Sequence, residues 1–164
     1  MRSALLPATV ILAGAVLAAP GARANPPTAA VFPFQLDDTS LQGPTAADQA
    51  RLGRLDTQLR DALAQSGRYT PKPAPEVPNG QPAWSCDGCE LDAARKMGVA
   101  VSVTGWVQKV SNLILNINLV VRDVATGQRV AAGSVDIRGD TDESWTRGLA
   151  YLLRNRILGG TSGQ

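Results

Sequence analysis

Three consecutive runs of alternating apolar and polar residues between positions 99 and 137 constrain the fold of this chain most strongly. Alternation with a period of two is typical of a strand with one buried and one polar face. Turn residues separate the runs at 111–112 and at 125–127. The pattern therefore predicts an antiparallel three-stranded meander. Its predicted buried rows are Val99, Val101, Val103 and Val107, interrupted by Gly105; Leu113, Leu115, Ile117, Leu119 and Val121; and Ala131, Gly133, Val135 and Ile137.

An amphipathic helix is predicted before the meander, at about 46–66. Apolar residues recur there at spacings of three and four, which is the period of a helix with one buried face. Thr45 and Asp48 have the spacing of a capping box, and Gly67 stands where a helix commonly ends. The predicted buried stripe is Leu52, Leu55, Leu59, Ala62 and Leu63.

A second amphipathic helix is predicted after the meander, ending at about Leu158. Asp140 and Glu143 have capping-box spacing at its start, and Trp145 falls on its apolar stripe. We therefore expect Trp145 to lie in the core.

The remaining segments complete the fold prediction. The apolar run 29–36 contains Pro33, so it can form a strand only at a bulge or a sheet edge. A brief strand is predicted at 68–70, an irregular proline-rich loop at 71–85, and a short helix at 90–96. The order β-α-(β)-α-β-β-β-α predicts an α+β fold with a mixed sheet of four to five strands and helices packed mainly on one face. The prolines of the loop are Pro71, Pro73, Pro75, Pro78 and Pro82.

Residues 1–24 have the pattern of a secretory signal peptide. Arg2 gives a positive start, an apolar run extends from Ala4 to Ala19, and Ala22–Ala24 forms an A-x-A cleavage site. The apolar run is shorter than the roughly 20 residues that span a bilayer, so no stable membrane insertion is expected. We predict cleavage after Ala24, export to the periplasm or beyond, one domain at 25–158 and a flexible tail at 159–164.

Charge and composition narrow the functions of the exported domain. The chain has 16 Lys+Arg against 14 Asp+Glu, and cleavage removes Arg2 and Arg23, so the exported domain is neutral. A neutral domain has no electrostatic attraction for nucleic acid. The chain has no histidine, which excludes Ser-His-Asp and Cys-His catalysis and imidazole-ligated metals or haem. No enzyme class, cofactor or metal site is predicted.

Several motifs resemble known proteins. AVFPF at 30–34, GVAVSVTGWV at 98–107 and LVVRDVATGQRV at 119–130 resemble the N-terminal α/β domain of TolB and related envelope accessory proteins. CDGCELDAARKMG at 86–98 and SVDIRGDTDESWTRGLAYLLRNR at 134–156 resemble a family of short exported bacterial proteins of unknown function. The first resemblance implies a fold and a scaffolding role, without TolB's propeller or its partner. The second implies no activity and no catalytic residue.

The only two cysteines, Cys86 and Cys89, have C-x-x-C spacing. In an oxidising compartment we predict a structural disulfide that pins the proline-rich loop to the following helix. The alternative is a thiol-redox site, because a helix N-terminus stabilises a thiolate. Haem attachment would need a histidine where Glu90 stands, and a tetrahedral metal site would need further soft ligands.

Two other groups of residues are candidate sites. Asp37, Asp38, Thr39 and Ser40 could meet a cation, but a solvated turn before the first helix is the preferred interpretation. Trp106 lies off the aliphatic row, and Asn116 and Asn118 are predicted to face it from the next strand. An aromatic residue among small polar groups is a common composition for a binding surface. Burial under a helix or the proline-rich segment is the alternative.

Taken with the resemblances, these features predict a non-enzymatic accessory or scaffolding domain that binds another envelope or periplasmic protein. A thiol-redox accessory is the alternative function, and a small-ligand sensor is a third that would require a pocket. The sequence gives no indication of oligomeric state.

Overall fold

The computed structural model describes residues 25–77 and 80–159, so the predicted signal peptide and most of the predicted tail lie outside the described residues. The described part contains a six-stranded mixed sheet and three helices, which confirms the predicted α+β class. The strands are β1 (Thr28–Val31), β2 (Gln35–Asp38), β3 (Thr70–Pro73), β4 (Val101–Lys109), β5 (Ile114–Asp123) and β6 (Arg129–Arg138). The helices are α1 (Ala46–Gln65), α2 (Cys89–Lys96) and α3 (Asp142–Leu152), and a π-helical turn (Leu153–Ile157) extends α3.

The strand order across the sheet is β3-β1-β4-β5-β6. Strands β4, β5 and β6 form the predicted antiparallel meander. β1 runs parallel to both β3 and β4, and β2 also pairs with β4 in parallel. The sheet has one strand more than the four to five expected, because the run predicted as a single first strand forms both β1 and β2.

Pro33 explains why this run is divided. Val31 pairs with Val103 and Gln35 pairs with Trp106, so β1–β2 contains one residue more than the facing stretch of β4. The proline cannot donate to a ladder, and this bulge accommodates it. The next backbone N–H, that of Phe34, leaves the sheet and donates to Asp56 Oδ1 on α1 at 2.7 Å.

The prediction of an irregular loop from position 71 was wrong for its first residues, because Thr70–Pro73 form β3. The strand includes Pro71 and Pro73 and pairs with β1 only. At the edge of a sheet a strand needs a partner on one side only, so residues without an N–H are tolerated. The two prolines also leave this edge poorly suited to pairing with another chain.

The larger core lies between the sheet and helices α1 and α3. The buried rows of β4 and β5 follow the predicted alternation, and Trp145 is fully buried in this core, as predicted. Gly105 interrupts the β4 row because the Phe34 ring occupies its space: a Cβ at Gly105 would lie 2.6 Å from ring carbons. Two assignments were wrong. Leu113 is exposed in the hairpin turn, and Val99 packs on the opposite face of the sheet.

A smaller core lies on the opposite face, beneath α2 and the proline-rich segment. This core includes Ala30 and Phe32 from the β1 region together with Ala94 of α2 and Val77 of that segment. Thus two helices cover one face of the sheet and the short helix covers part of the other. This cover does not extend across β5 and β6, whose residues on this face are half-buried or exposed.

A buried ion cluster joins β4 to both long helices. Lys109 Nζ, in a side chain only 1% exposed, lies 2.9 Å from Asp48 Oδ2 on α1 and 2.8 Å from Asp140 Oδ2 before α3. Asp48 also accepts hydrogen bonds from the Thr45 backbone and hydroxyl in the predicted capping box. The predicted cap of α3 was wrong: Thr141 caps it with Ser144, and Asp140 accepts from Trp145 Nε1 at 3.0 Å.

These contacts set the ionisation of the cluster. Burial acts to raise the pKa of Asp48, but hydrogen bonds from Lys109 and Thr45 outweigh it and hold the pKa at about 2, against an ordinary 3.8. Burial likewise acts to lower the pKa of Lys109, but Asp140 and Asp48 outweigh it and raise that pKa. Asp48 and Lys109 are therefore both charged at neutral pH.

Replacing Lys109 by Met is expected to cost about 3–5 kcal/mol of unfolding free energy, because it removes the buried cation of the cluster and leaves Asp48 and Asp140 with Arg51 alone. Urea denaturation followed by circular dichroism would measure the loss. Lys96→Met on the exposed surface of α2 is the matched control and is expected to change stability by no more than about 0.5 kcal/mol. A loss below about 1 kcal/mol for Lys109→Met would contradict the role assigned to the cluster.

The depressed pKa of Asp48 predicts a specific acid sensitivity. Its stabilising contribution is complete above the unfolded pKa of 3.8 and is lost as the pH falls through about 2. We expect the wild type to lose about 2 kcal/mol more than Asp48→Asn between about pH 5 and pH 2. Burial raises the pKa of Asp56, so this residue changes stability with pH in the opposite direction. Its effect is the same in both proteins and cancels in the comparison. Urea titrations at each pH would measure the free energy of unfolding of both proteins. The same dependence of that free energy on pH in both would refute the prediction.

Candidate functional site

The structure brings the three predicted surface residues together on the sheet face away from α1 and α3. Trp106 faces Asn118 across β4 and β5, and Asn118 faces Ser134 on β6. In the adjacent row, Asn116 Nδ2 donates to Asp136 Oδ1 at 2.7 Å. We call this surface the polar strip; it consists of Trp106, Gln108, Asn116, Asn118, Ser134 and Asp136. All six side chains are half-buried or exposed.

Apolar residues continue the same face at the β4–β5 hairpin. Val110 follows Gln108 at two-residue spacing, and its N–H donates to the carbonyl of Ile114, which precedes Asn116 on β5. Val110, Leu113 and Ile114 are 50%, 71% and 48% exposed. A polar strip beside an exposed aliphatic group resembles the mixed composition of protein interfaces.

The proline-rich segment covers one side of Trp106. The rings of Trp84 and Trp106 stack with centroids 5.0 Å apart and an interplanar angle of 16°. The segment is fixed beside β2, where the Ala83 N–H donates to Gln35 Oε1 at 2.7 Å. Trp106 is thus half-buried. The proline-rich segment covers it in part, as one interpretation expected, and the remainder stays accessible, as the binding-surface interpretation expected. Sequence reasoning did not assign Trp84 to this surface, and its only signal was its place just before Cys86.

A polar cavity of about 350 Å³ adjoins the tryptophan pair. Arg122 lies in it, held by two contacts: its Nη1 is 2.6 Å from Glu90 Oε1, and its Nε donates to the Gly127 carbonyl at 3.0 Å. The Glu90 side chain is only 4% exposed, so this carboxylate is a buried charge with a specific partner. Sequence reasoning missed both residues, because they are 32 positions apart. The lining consists of Ala83, Trp84, Glu90, Thr104, Val120, Arg122, Gly127 and Arg129.

Cys86 and Cys89 form the predicted disulfide at the start of α2. The ring closes through Asp87 and Gly88, which both have positive φ values, and Gly88 is the residue before the helix. Cys86 Sγ lies 3.5 Å from Glu90 Oε2. Three potential metal-ligating groups therefore meet here, but sulfur atoms joined in a disulfide are not thiolate ligands.

The residues Asp37 to Ser40 mark the end of β2 and the turn that follows it. Asp37 and Asp38 belong to the strand and pair with Gln108 and Lys109. Asp38 Oδ1 accepts from the Ser40 N–H at 2.8 Å, and the Thr39 N–H donates to the Lys109 carbonyl. The bond between Asp38 and Ser40 belongs to a local turn, whereas the bond from Thr39 to Lys109 extends the pairing of β2 with β4. The predicted turn therefore begins later than expected, because Asp37 and Asp38 belong to the sheet.

The family model for a protein of unknown function (DUF2380) matches residues 27–157. The chain belongs to this family. The predicted membership in a family of unknown function is thereby confirmed. No curated protein matches the chain in sequence. Among the described residues, no helix is both long and apolar enough to cross a membrane.

This family member is similar to several solved structures at low sequence identity. The PelC dodecamer from Paraburkholderia phytofirmans is 16% identical with a TM-score of 0.54, over 80% of this chain and 88% of that one. The LpoB C-terminal domain from Salmonella enterica is 16% identical with a TM-score of 0.50, over 72% and 87%. TolB from Acinetobacter baumannii is 15% identical with a TM-score of 0.47, over 79% of this chain and 28% of that one.

Proposed function

We propose that this protein is an exported, non-enzymatic accessory domain that binds another envelope protein through the polar strip and the adjoining hairpin. The open face of β4–β6 is the observation that carries this proposal. It joins the half-buried Trp106, a row of amide and hydroxyl groups, and the exposed aliphatic side chains of Val110 and Ile114. Such a surface can bury an apolar centre while its polar groups pair with those of a partner.

The chemistry of the described residues favours binding over catalysis. The chain has no histidine to act as a general base. The buried ionisable groups are engaged with one another: Lys109 with Asp48 and Asp140, and Glu90 with Arg122. Catalytic groups are usually poised beside a nucleophile or substrate rather than neutralised in structural pairs.

The shared fold is compatible with a role in an assembly. PelC, whose fold this chain shares, is described as a dodecamer, so a domain of this architecture can present surfaces to neighbouring protein chains. Function still resides in the residues of a surface rather than in the fold. The polar strip of this chain is therefore the part to test.

Export completes the proposal. Cleavage after Ala24 would deliver a neutral domain, spanning 25–158, to an oxidising compartment where the Cys86–Cys89 disulfide persists. A neutral domain depends on shape and hydrogen bonding for recognition more than on long-range attraction. A protein surface suits such recognition better than nucleic acid does.

Site-specific photo-crosslinking in the producing cells tests the proposed surface. A photoreactive residue at Gln108 or Ser134, both exposed on the polar strip, is expected to give one discrete adduct of higher mass. The same residue at Ala64, exposed on α1, is the control and is expected to give none. Adding Asn116→Glu should abolish the adduct, because it places a second carboxylate opposite Asp136 and so leaves unpaired charge in the interface. Adducts of equal yield at Ala64, or none at either strip position, would contradict the proposal.

A thiol-redox accessory is the second candidate, favoured by Cys89 at the first position of α2, where a helix N-terminus stabilises a thiolate. The reduction potential of the disulfide distinguishes the two candidates. The accessory-domain proposal expects a value below about −300 mV, as for structural disulfides in secreted proteins. A value between about −270 and −120 mV, the range of thiol-exchange proteins, would support the redox function instead. Equilibration with glutathione or dithiothreitol buffers would give the potential.

A further inference from the structure

We propose that the cavity beside the tryptophan pair binds a small organic carboxylate. The cavity is enclosed by separate parts of the fold: the segment before the disulfide, the start of α2, and strands β4, β5 and β6. Its volume of about 350 Å³ lies at the lower end of the range for small-molecule sites. This site is independent of the protein partner proposed above.

The charges of the cavity indicate the sign of the ligand. Arg122 and Arg129 face each other across β5 and β6, at the position where the register of these strands shifts. Like charges directly opposite one another on neighbouring strands are destabilising. Glu90 neutralises Arg122, whereas Arg129 makes no ion pair with any described residue. The three groups together carry one net positive charge, which one carboxylate would balance.

The geometry of Arg122 favours a ligand with acceptor oxygens. Its Nη1 and Nε are held by Glu90 and the Gly127 carbonyl, so its orientation is fixed before any ligand binds. Nη2 makes no hydrogen bond with a described residue and lies 3.8 Å from the position that a Cβ on Gly127 would take. A guanidinium held in place in this way loses little side-chain entropy on binding. Bonds from guanidinium groups to carboxylates are among the stronger hydrogen bonds in proteins.

The remaining walls indicate a ligand with an organic body rather than an inorganic ion. Trp84 and Val120 supply aromatic and aliphatic surface, and Thr104, which is 5% exposed, supplies a hydroxyl group. Two apolar side chains within a polar cavity suit a ligand that combines several polar groups with a small carbon skeleton. A sugar acid combines a single carboxylate with hydroxyl groups and a ring that can lie against an aromatic face. Sodium D-glucuronate is therefore a suitable probe.

A larger groove on the other side of the molecule lacks these features. It has a volume of about 640 Å³ and runs along α1 from Ala50 to Gln65. Its charged residues, Arg54 and Asp61, are exposed to solvent, where screening weakens their attraction for a ligand. The cavity around Arg122 is the better candidate because it contains a half-buried arginine that is held in place by a buried carboxylate, Glu90.

Titration of the oxidised protein with sodium D-glucuronate, followed by tryptophan fluorescence, tests the proposal. Trp84 lines the cavity and stacks on Trp106, so a bound ligand should change the emission. We expect saturation with glucuronate, no saturation with glucose over the same range, and weaker binding of inorganic phosphate. Isothermal titration calorimetry would confirm that the optical change reports binding.

Substitution of Arg129 provides the matched variant. Arg129→Gln removes an exposed, unpaired charge, so the fold should be retained, and we expect at least a roughly tenfold loss of affinity for glucuronate. Arg147→Gln, an exposed arginine on α3, should bind as the wild type does. Absence of saturation with glucuronate, equal affinity for glucose, tighter binding of phosphate, or an unchanged affinity in Arg129→Gln would each overturn the proposal.

Discussion

The contact of Lys109 with Asp48 and Asp140 is the interaction on which the rest of the structure depends. It joins three segments that are far apart in the sequence: the first turn of α1, the end of β4 and the approach to α3. Burying these charges is costly, and the cost is offset only because nearly every polar atom finds a partner. Thr45 and Arg51 complete the hydrogen bonding of Asp48, and Trp145 donates to Asp140 from within the core. A buried polar cluster of this kind also disfavours other arrangements of the helices, since these would leave its charges unpaired.

The same contact determines where a binding surface can form. Because it holds both long helices on one face of the sheet, only α2 and the proline-rich segment remain to cover the other face. That cover lies over Phe32 and reaches Trp106, but it does not extend over Asn118 and Ser134. An antiparallel sheet tolerates water on one face. The polar strip and the cavity around Arg122 thus arise from an unequal distribution of helices over the two faces.

Sequence reasoning predicted the elements whose pattern is local. The alternation along β5 and the leucine stripe of α1 record burial directly, and the Thr45–Asp48 capping box involves residues three positions apart. It failed where a contact joins distant residues. Asp140 was assigned as a helix cap because its spacing to Glu143 fits, whereas its carboxylate is taken by Lys109 and Trp145. The Glu90–Arg122 pair and the stacking of Trp84 left no periodic signal. The part of the site on the meander was therefore predictable, and the part contributed by the disulfide segment was not.

The disulfide affects this surface more than it affects global stability. It closes a ring of only four residues, so it restricts the unfolded chain little and contributes about 2 kcal/mol or less. Its local effect is larger, because Trp84 lies two positions before Cys86 and Glu90 directly follows Cys89. Both residues line the cavity: Trp84 stacks on Trp106, and Glu90 orients Arg122. Opening the ring would free the segment that carries Trp84 from the start of α2 that carries Glu90. The C-x-x-C pair is thus best understood as the element that couples the proline-rich segment to the open face of the sheet.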